Sequence, residues 1–248
     1  MGRILVRADD LGYCESFNYG LARAVKSGIV RSVGVMANME WAEHGVRLLD
    51  GCDVTFTLHA VISQGRPLTD PKRIPSLVTE TGEFKSNAVY RAAKEDFVVL
   101  EEAVMEIEAQ FLQLEHWIGK KPFMVEGHAV PSNNFFKAMA IVAAKYGVHT
   151  MQMGPGGAKI ANTRMLFSMD SGNADYDPFE SFKKAATQPM EADQAALMVL
   201  HPGYVDKYIY ETSYITKNRA LEVAFAIDPE VPKWCAENGV ELLTYADL

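Results

Sequence analysis

The feature that most constrains this chain is an alternation. Seven short, mostly apolar runs occur at 3–8 (RILVRA), 32–38 (SVGVMAN), 53–60 (DVTFTLHA), 122–129 (PFMVEGHA), 148–153 (VHTMQM), 196–201 (ALMVLH) and 240–245 (VELLTY). Most are rich in apolar and β-branched residues, the pattern of strands covered on both faces. Helical stretches separate them. Those at 16–28 and 133–147 end on Gly28 and Gly147, glycines suited to closing a helix. The stretch 95–119 carries Leu100, Val104, Ile107, Phe111, Leu114 and Ile118 at spacings of three and four, which make one apolar stripe. Glu101, Glu102, Glu106 and Glu108 fall mostly off that stripe and read as a solvated helix face. Strands that alternate with helices demand a mainly parallel sheet, either open or closed into a barrel. Two long stretches, 61–87 and 154–178, are rich in Gly, Pro, Ser, Asn and Asp and read as irregular loops of the kind that bind or cover a ligand.

Composition narrows the function. With 248 residues, 48% of them hydrophobic, the chain can bury a large core. No internal repeat, low-complexity tract or clear linker divides it, so residues 1–248 are expected to form one domain. A net charge of −8 without a sizeable basic block argues against nucleic acid or an anionic membrane as partner. Cys14, Cys52 and Cys235 are far apart, and no C-x-x-C occurs; neither a disulfide framework nor a thiolate zinc site is expected. The first residues reach charge too quickly for a signal peptide, and no apolar run approaches the ~18 residues of a spanning helix. A cytoplasmic location is the expectation.

The chemistry is written at the ends of the runs. Asp9 and Asp10 close the first, and His59, His128 and His201 close three others. In parallel α/β folds the carboxyl ends of strands converge on one face. A single Asp there often caps a helix, and a single His is more often structural than a ligand; several together weaken both readings. His44, His116 and His149 lie elsewhere and read as surface or packing residues. One aspartate with two histidines suits a divalent ion such as zinc, cobalt, manganese or magnesium, with positions left for water and substrate. The other aspartate can take the proton of the attacking water, and a histidine on the far side can protonate the leaving group. This is equipment for hydrolysing an amide or ester. No Ser or Cys lies in a nucleophile motif such as G-x-S-x-G. GPGG at 154–157 lacks the Lys-Ser/Thr of a phosphate-binding loop and reads as a plain loop. Lys159 and Arg164 read as solvated cations rather than a sugar-phosphate site, and Tyr13 and Tyr204 as packing residues or sugar-stacking rings.

Over almost its whole length the chain resembles the YdjC-like carbohydrate deacetylases. The resemblance is carried by RADDLGYCESFNYGLARAVKSGIVRSVGVMAN, by TLHAVISQGRPLTDPKRIPSLVTETGEF, and by VLHPGYVD followed by the Arg-x-x-Glu of SYITKNRALEVAFAIDPEV. It implies a deformed (β/α) barrel, one divalent metal (usually magnesium), removal of acetyl groups from N-acetylated sugars or oligosaccharides, and often a homodimer. It makes Asp9 the catalytic base, Asp10, His59 and His128 the metal ligands, and His201 the general acid. One segment departs from the family. Where Asp-x-His-x-His is usual, this chain has VEGHAVPSN: Glu126 replaces the Asp, and Ala129, Val130 and Ser132 fill positions that are often His. Ala60 stands where Leu is common. The departure leaves two rival readings, a metal-dependent hydrolase of another amide, ester or phosphoester, and a non-catalytic sugar- or metal-binding relative.

Overall fold

The seven apolar runs all enter one sheet. The computed structural model describes residues 2–128, 130–154, 157–168, 170–173 and 175–248. Among these, the strands are β1 (Gly2–Leu11), β2 (Ser32–Val35), β3 (Thr55–Ala60), β4 (Met124–Gly127), β5 (His149–Thr150), β6 (Gln152–Gly154), β7 (Gly157–Ile160), β8 (Thr163–Ser168), β9 (Gln194–Leu200) and β10 (Val240–Leu243). Their order is β5-β4-β3-β2-β1-β9-β8-β7-β6, with β10 paired to the first half of β1. The pairings of β6 with β7 and of β7 with β8 are antiparallel; the rest are parallel. The two ends of this order, β5 and β6, are consecutive in the chain, with only Met151 between them. A sheet whose first and last strands are neighbours in sequence has curled back on itself, so the architecture is a deformed, mainly parallel (β/α) barrel.

Two strands lie where the sequence reads as loop. β7 and β8 form a hairpin inside the stretch 154–178, turning at Ala161 and Asn162. They escape a search for apolar runs because Lys159 and Arg164 stand opposite each other across the hairpin and interrupt both strands. Within GPGG, Pro155 and Gly156 lie outside the described residues, as does Ala129.

Side-chain alternation along each strand separates two packed layers. From β1, Ile4, Val6 and Ala8 join the larger core under the helices, while Leu5 joins a cluster inside the barrel with Met124, Ile160, Met165, Leu197, Val199, Leu243 and Tyr245. Arg7 and Asp9 follow Leu5 at intervals of two and therefore share its inward face.

The helices are α1 (Glu15–Lys26), α2 (Ala42–Leu48), α3 (Asn87–Ala92), α4 (Leu100–Ile118), α5 (Asn133–Tyr146), α6 (Pro178–Thr187), α7 (Lys207–Thr212), α8 (Lys217–Ala226) and α9 (Glu230–Asn238). Gly147 closes α5 with a left-handed φ of 67°. Gly28 does not close α1, which stops at Lys26; it instead lets the end of α8 come close, since a Cβ there would lie 2.2 Å from the Ala226 carbonyl oxygen. The acidic face of α4 is not simply solvated. Glu106 is fully buried and accepts hydrogen bonds from the Leu68 and Thr69 amides at 3.1 and 2.9 Å. Glu102 accepts from the Ser76 amide at 2.7 Å, and Glu108 binds Lys145 and Tyr146. The segment 61–87 is largely irregular, so its N–H groups need acceptors, and the carboxylates of α4 supply them. Of the four glutamates, only Glu101 is exposed. Among the described residues no helix is long and apolar enough to cross a membrane.

Candidate metal and catalytic site

Consecutive residues of a strand point to opposite faces, so Asp9 and Asp10 need a break in β1 to serve one site. The register between β1 and β2 shifts between Ala8 and Leu11, and Asp10 has a left-handed φ of 69°. Such a conformation costs a non-glycine residue about 1–3 kcal/mol and clusters at functional sites. The break brings both buried carboxylates to His59, at the end of β3. Asp9 Oδ2 lies 3.9 Å from its Nδ1, and Asp10 Oδ1 lies 3.4 Å from its Nε2.

His128, just beyond β4, completes a cluster. Its Nδ1 is 3.1 Å from His59 Nε2 and 3.3 Å from Asp10 Oδ1. A divalent ion about 2.1 Å from each of three such atoms would hold them roughly 3.0–3.4 Å apart, depending on its coordination angles. Asp10 Oδ1 makes no hydrogen bond of good geometry, although two ring nitrogens face it. The residues present therefore fit a divalent ion. Asp9, His59 and Glu126 also lie close together, but that space already holds a cation: the Arg7 guanidinium is 2.7 Å from Asp9 Oδ2 and 3.5 Å from Glu126 Oε2.

Each aspartate has its own arginine. Arg7 donates to Asp9 Oδ2, leaving Asp9 Oδ1 without a partner. Arg219, on α8, lies 3.3 Å from Asp10 Oδ2 and packs over the Tyr13 and Phe17 rings. Glu126, seen in the sequence only as a departure from the family, lies beside His59 in register, with its oxygens 2.9 and 2.8 Å from His59 Nδ1. Gly34, on β2, leaves room for the cluster: a Cβ there would lie 2.7 Å from Asp9 Oδ1 and 2.9 Å from Glu126 Oε1. His201 follows β9. Its backbone N–H donates to Glu222, which also accepts from the Tyr176 hydroxyl at 3.0 Å, and its own Nδ1 has no partner.

The charges are strongly interdependent. Burial alone would raise Asp10, but the His128 and His59 rings that face it hold it well below the usual carboxylate range. Burial raises Asp9 even against Arg7. Glu126 is also desolvated, yet Arg7 and His59 bring it below its ordinary value. Burial would lower His59, but Glu126 and Asp9 raise it well above the ordinary histidine value. His201 is lowered to about 4, chiefly by burial, and Glu222 is raised to about 7 by the same cause.

Other singled-out residues fall away from the cluster or support it. Tyr13 donates to Thr212 beneath Arg219, and the Tyr204 hydroxyl accepts from Arg23. Arg164 pairs with Gln194 at the start of β9, the opposite end of the barrel from His201, and is tied to Glu191 and Asp193. His44 packs edge-on to Tyr19 and Trp41, His149 lies against Phe123, and His116 is exposed. Sequence reasoning missed the parts played by Arg7, Gly34 and Glu126, and gave Arg219 and Glu222 no role beyond a motif. Arg7 did leave a signal, a charge inside an apolar run two residues before Asp9.

A mainly parallel α/β barrel with carboxylates and imidazoles gathered at the carboxyl ends of its strands has the makeup of a metal-dependent hydrolase. The chain belongs to the YdjC-like protein family, whose sequence model matches residues 3–237. It is 30% identical to a carbohydrate deacetylase of Geobacillus stearothermophilus, across 98% of this chain and 96% of that one. It is 26% identical to carbohydrate deacetylase 2 of Listeria innocua, across 99% and 98% of the two chains. Its fold matches that of an Enterococcus faecalis protein described as a cellobiose-phosphate cleavage protein, with a TM-score of 0.81, 18% identity, and 99% and 98% of the chains covered. A family 4 carbohydrate esterase from Streptomyces lividans, solved with acetate, matches with a TM-score of 0.55, 12% identity, and 98% and 92% coverage.

Proposed function

We propose that this protein removes acetyl groups from N-acetylated sugars or oligosaccharides by metal-assisted hydrolysis, with Asp10, His59 and His128 holding one divalent ion, Asp9 as base and His201 as acid. The observation that carries the reading is the convergence of three ligand atoms within 3.1–3.4 Å of one another, beside an Asp9 oxygen with no partner. The carbohydrate deacetylase names of the relatives supply the substrate class. When bound, the ion supplies Lewis acidity, polarising the acetyl carbonyl and acidifying water.

The residues divide the remaining work. Arg7 fixes one Asp9 oxygen and leaves the other to take a proton from water. Burial holds the Asp9 pKa up, which makes it a stronger base than a solvated aspartate. His201 is uncharged at neutral pH before substrate arrives. As negative charge develops on the acetyl group, His201 takes up one proton from solvent and gives it to the departing amine, while Asp9 returns to solvent the proton it took from the attacking water, so the protons balance over the cycle. Magnesium is the family's usual ion, though the oxygen and nitrogen set also suits zinc, cobalt or manganese. By the same resemblance we take residues 1–248 as one domain and the protein as a homodimer, and we keep the sequence's own expectation of a cytoplasmic location.

The test is acetate release from N-acetylglucosamine, its phosphate and short chitin oligomers, with metal and with chelator. Metal-dependent release from one or more supports the reading. Turnover of phosphoesters or simple esters alone would replace it with another hydrolysis, and sugar binding without any turnover would make the protein a binding module. Because the metal must displace a proton from His59, whose pKa is raised, occupancy is expected to fall as pH drops below neutral.

A further inference from the structure

We infer that Glu126 is the positioning residue of the metal centre, holding the Nδ1–H of His59 so that Nε2 faces the ion. The inference rests on reading Asp10, His59 and His128 as the metal site. Register places the contact: Glu126 on β4 is the paired neighbour of His59 on β3, so both side chains leave the sheet side by side. Both Glu126 oxygens lie within 2.9 Å of Nδ1, and Thr57 donates to one of them at 3.3 Å. An imidazole nitrogen that carries a proton cannot bind a metal, so a carboxylate on Nδ1–H fixes the tautomer with its lone pair on Nε2. The other side of His59 supports the same assignment, since Nε2 is the atom facing Asp10 and His128. Glutamate is one methylene longer than the aspartate usual at this place in the family. The missing side chain of Gly34 gives the longer group its space, and Arg7 prevents it from being an unpaired buried charge.

The test measures zinc affinity by chelator competition, together with the absorption spectrum of the cobalt-loaded protein, in wild type, Glu126→Ala and Glu126→Gln. Orienting partners of metal-binding histidines typically contribute about 10–100-fold in affinity. Glu126→Ala is expected to lose that much and to change the cobalt spectrum. Glu126→Gln keeps an acceptor at the same length and is expected to lose less. A folded Ala variant with wild-type affinity and spectrum overturns the inference while leaving the metal site standing. Should the Ala variant fail to fold, the Gln variant decides: affinity and spectrum equal to wild type overturn the inference. A wild-type protein that binds neither ion at one equivalent removes the metal site, and this inference with it.

Discussion

The two ends of the barrel interior are built on the same strands and are chemically opposite. Deeper in the barrel, at the end away from the site, Leu5, Met124, Met165, Leu197 and Leu243 form an apolar layer. Toward the carboxyl ends, Arg7 and Asp9 follow Leu5, Glu126 follows Met124, and His201 follows Val199. Tyr245 marks the boundary, with its ring stacked on Phe123 at 4.7 Å and its hydroxyl accepting from Arg7 at 3.4 Å. The apolar end stabilises the fold simply by shedding water. The polar end buries charges whose desolvation is offset only by one another, and it still leaves Asp9 Oδ1, Asp10 Oδ1 and His201 Nδ1 without partners. Unsatisfied buried atoms weaken a fold, so their concentration at one end marks where structure has been given over to chemistry.

The largest expected break in this comparison is at Asp9. Asp9→Asn keeps the shape but cannot take a proton, so kcat for acetate release should fall about 10²–10⁴-fold with metal content unchanged. Near-normal turnover would place the base elsewhere. At the other end, Leu197→Ala should reverse the pattern: stability falls by about 2–5 kcal/mol, and metal affinity stays near wild type. Urea unfolding and metal titration of the two variants would show whether the ends are as separable as their chemistry implies.

The smallest expected effect sharpens the comparison through pH. Glu222 has its folded pKa raised to about 7 from 4.5. Below pH 4.5 it is protonated in both folded and unfolded chains and contributes no pH dependence. Between 4.5 and 7 the unfolded chain ionises first, so this group lowers stability as pH rises, by about 3 kcal/mol at most. In metal-free protein, Glu222→Gln should remove that part of the slope between pH 4.5 and 8, measured by urea midpoints. A slope identical to wild type would show that Glu222 ionises freely in the fold.

Several of these groups were invisible to a reading along the chain. Periodicity exposed the stripe of α4 but not Glu106, because burial of an off-stripe carboxylate depends on a loop 37 residues away that needs its oxygens. Arg219 lies 209 residues from Asp10, and Glu126 lies 67 from His59. No local pattern connects such pairs. β7 and β8 were hidden for another reason: Lys159 and Arg164 interrupt them, so that only short apolar pieces remain, too short to mark a covered strand.

What the sequence determined by itself is the parallel framework and the placement of Asp9, Asp10, His59, His128 and His201 at the ends of its strands, since both follow from the order of apolar runs and the residues that close them. What only the tertiary structure decided is how those residues face one another. The kink at Asp10 turns two neighbouring carboxylates into one site, the register of β3 and β4 sets Glu126 against His59, and the packing of α8 brings Arg219 to Asp10. Strand formation responds to the local run of residues, whereas the partner of a buried charge is fixed by strand register and helix packing, which emerge only when distant segments meet.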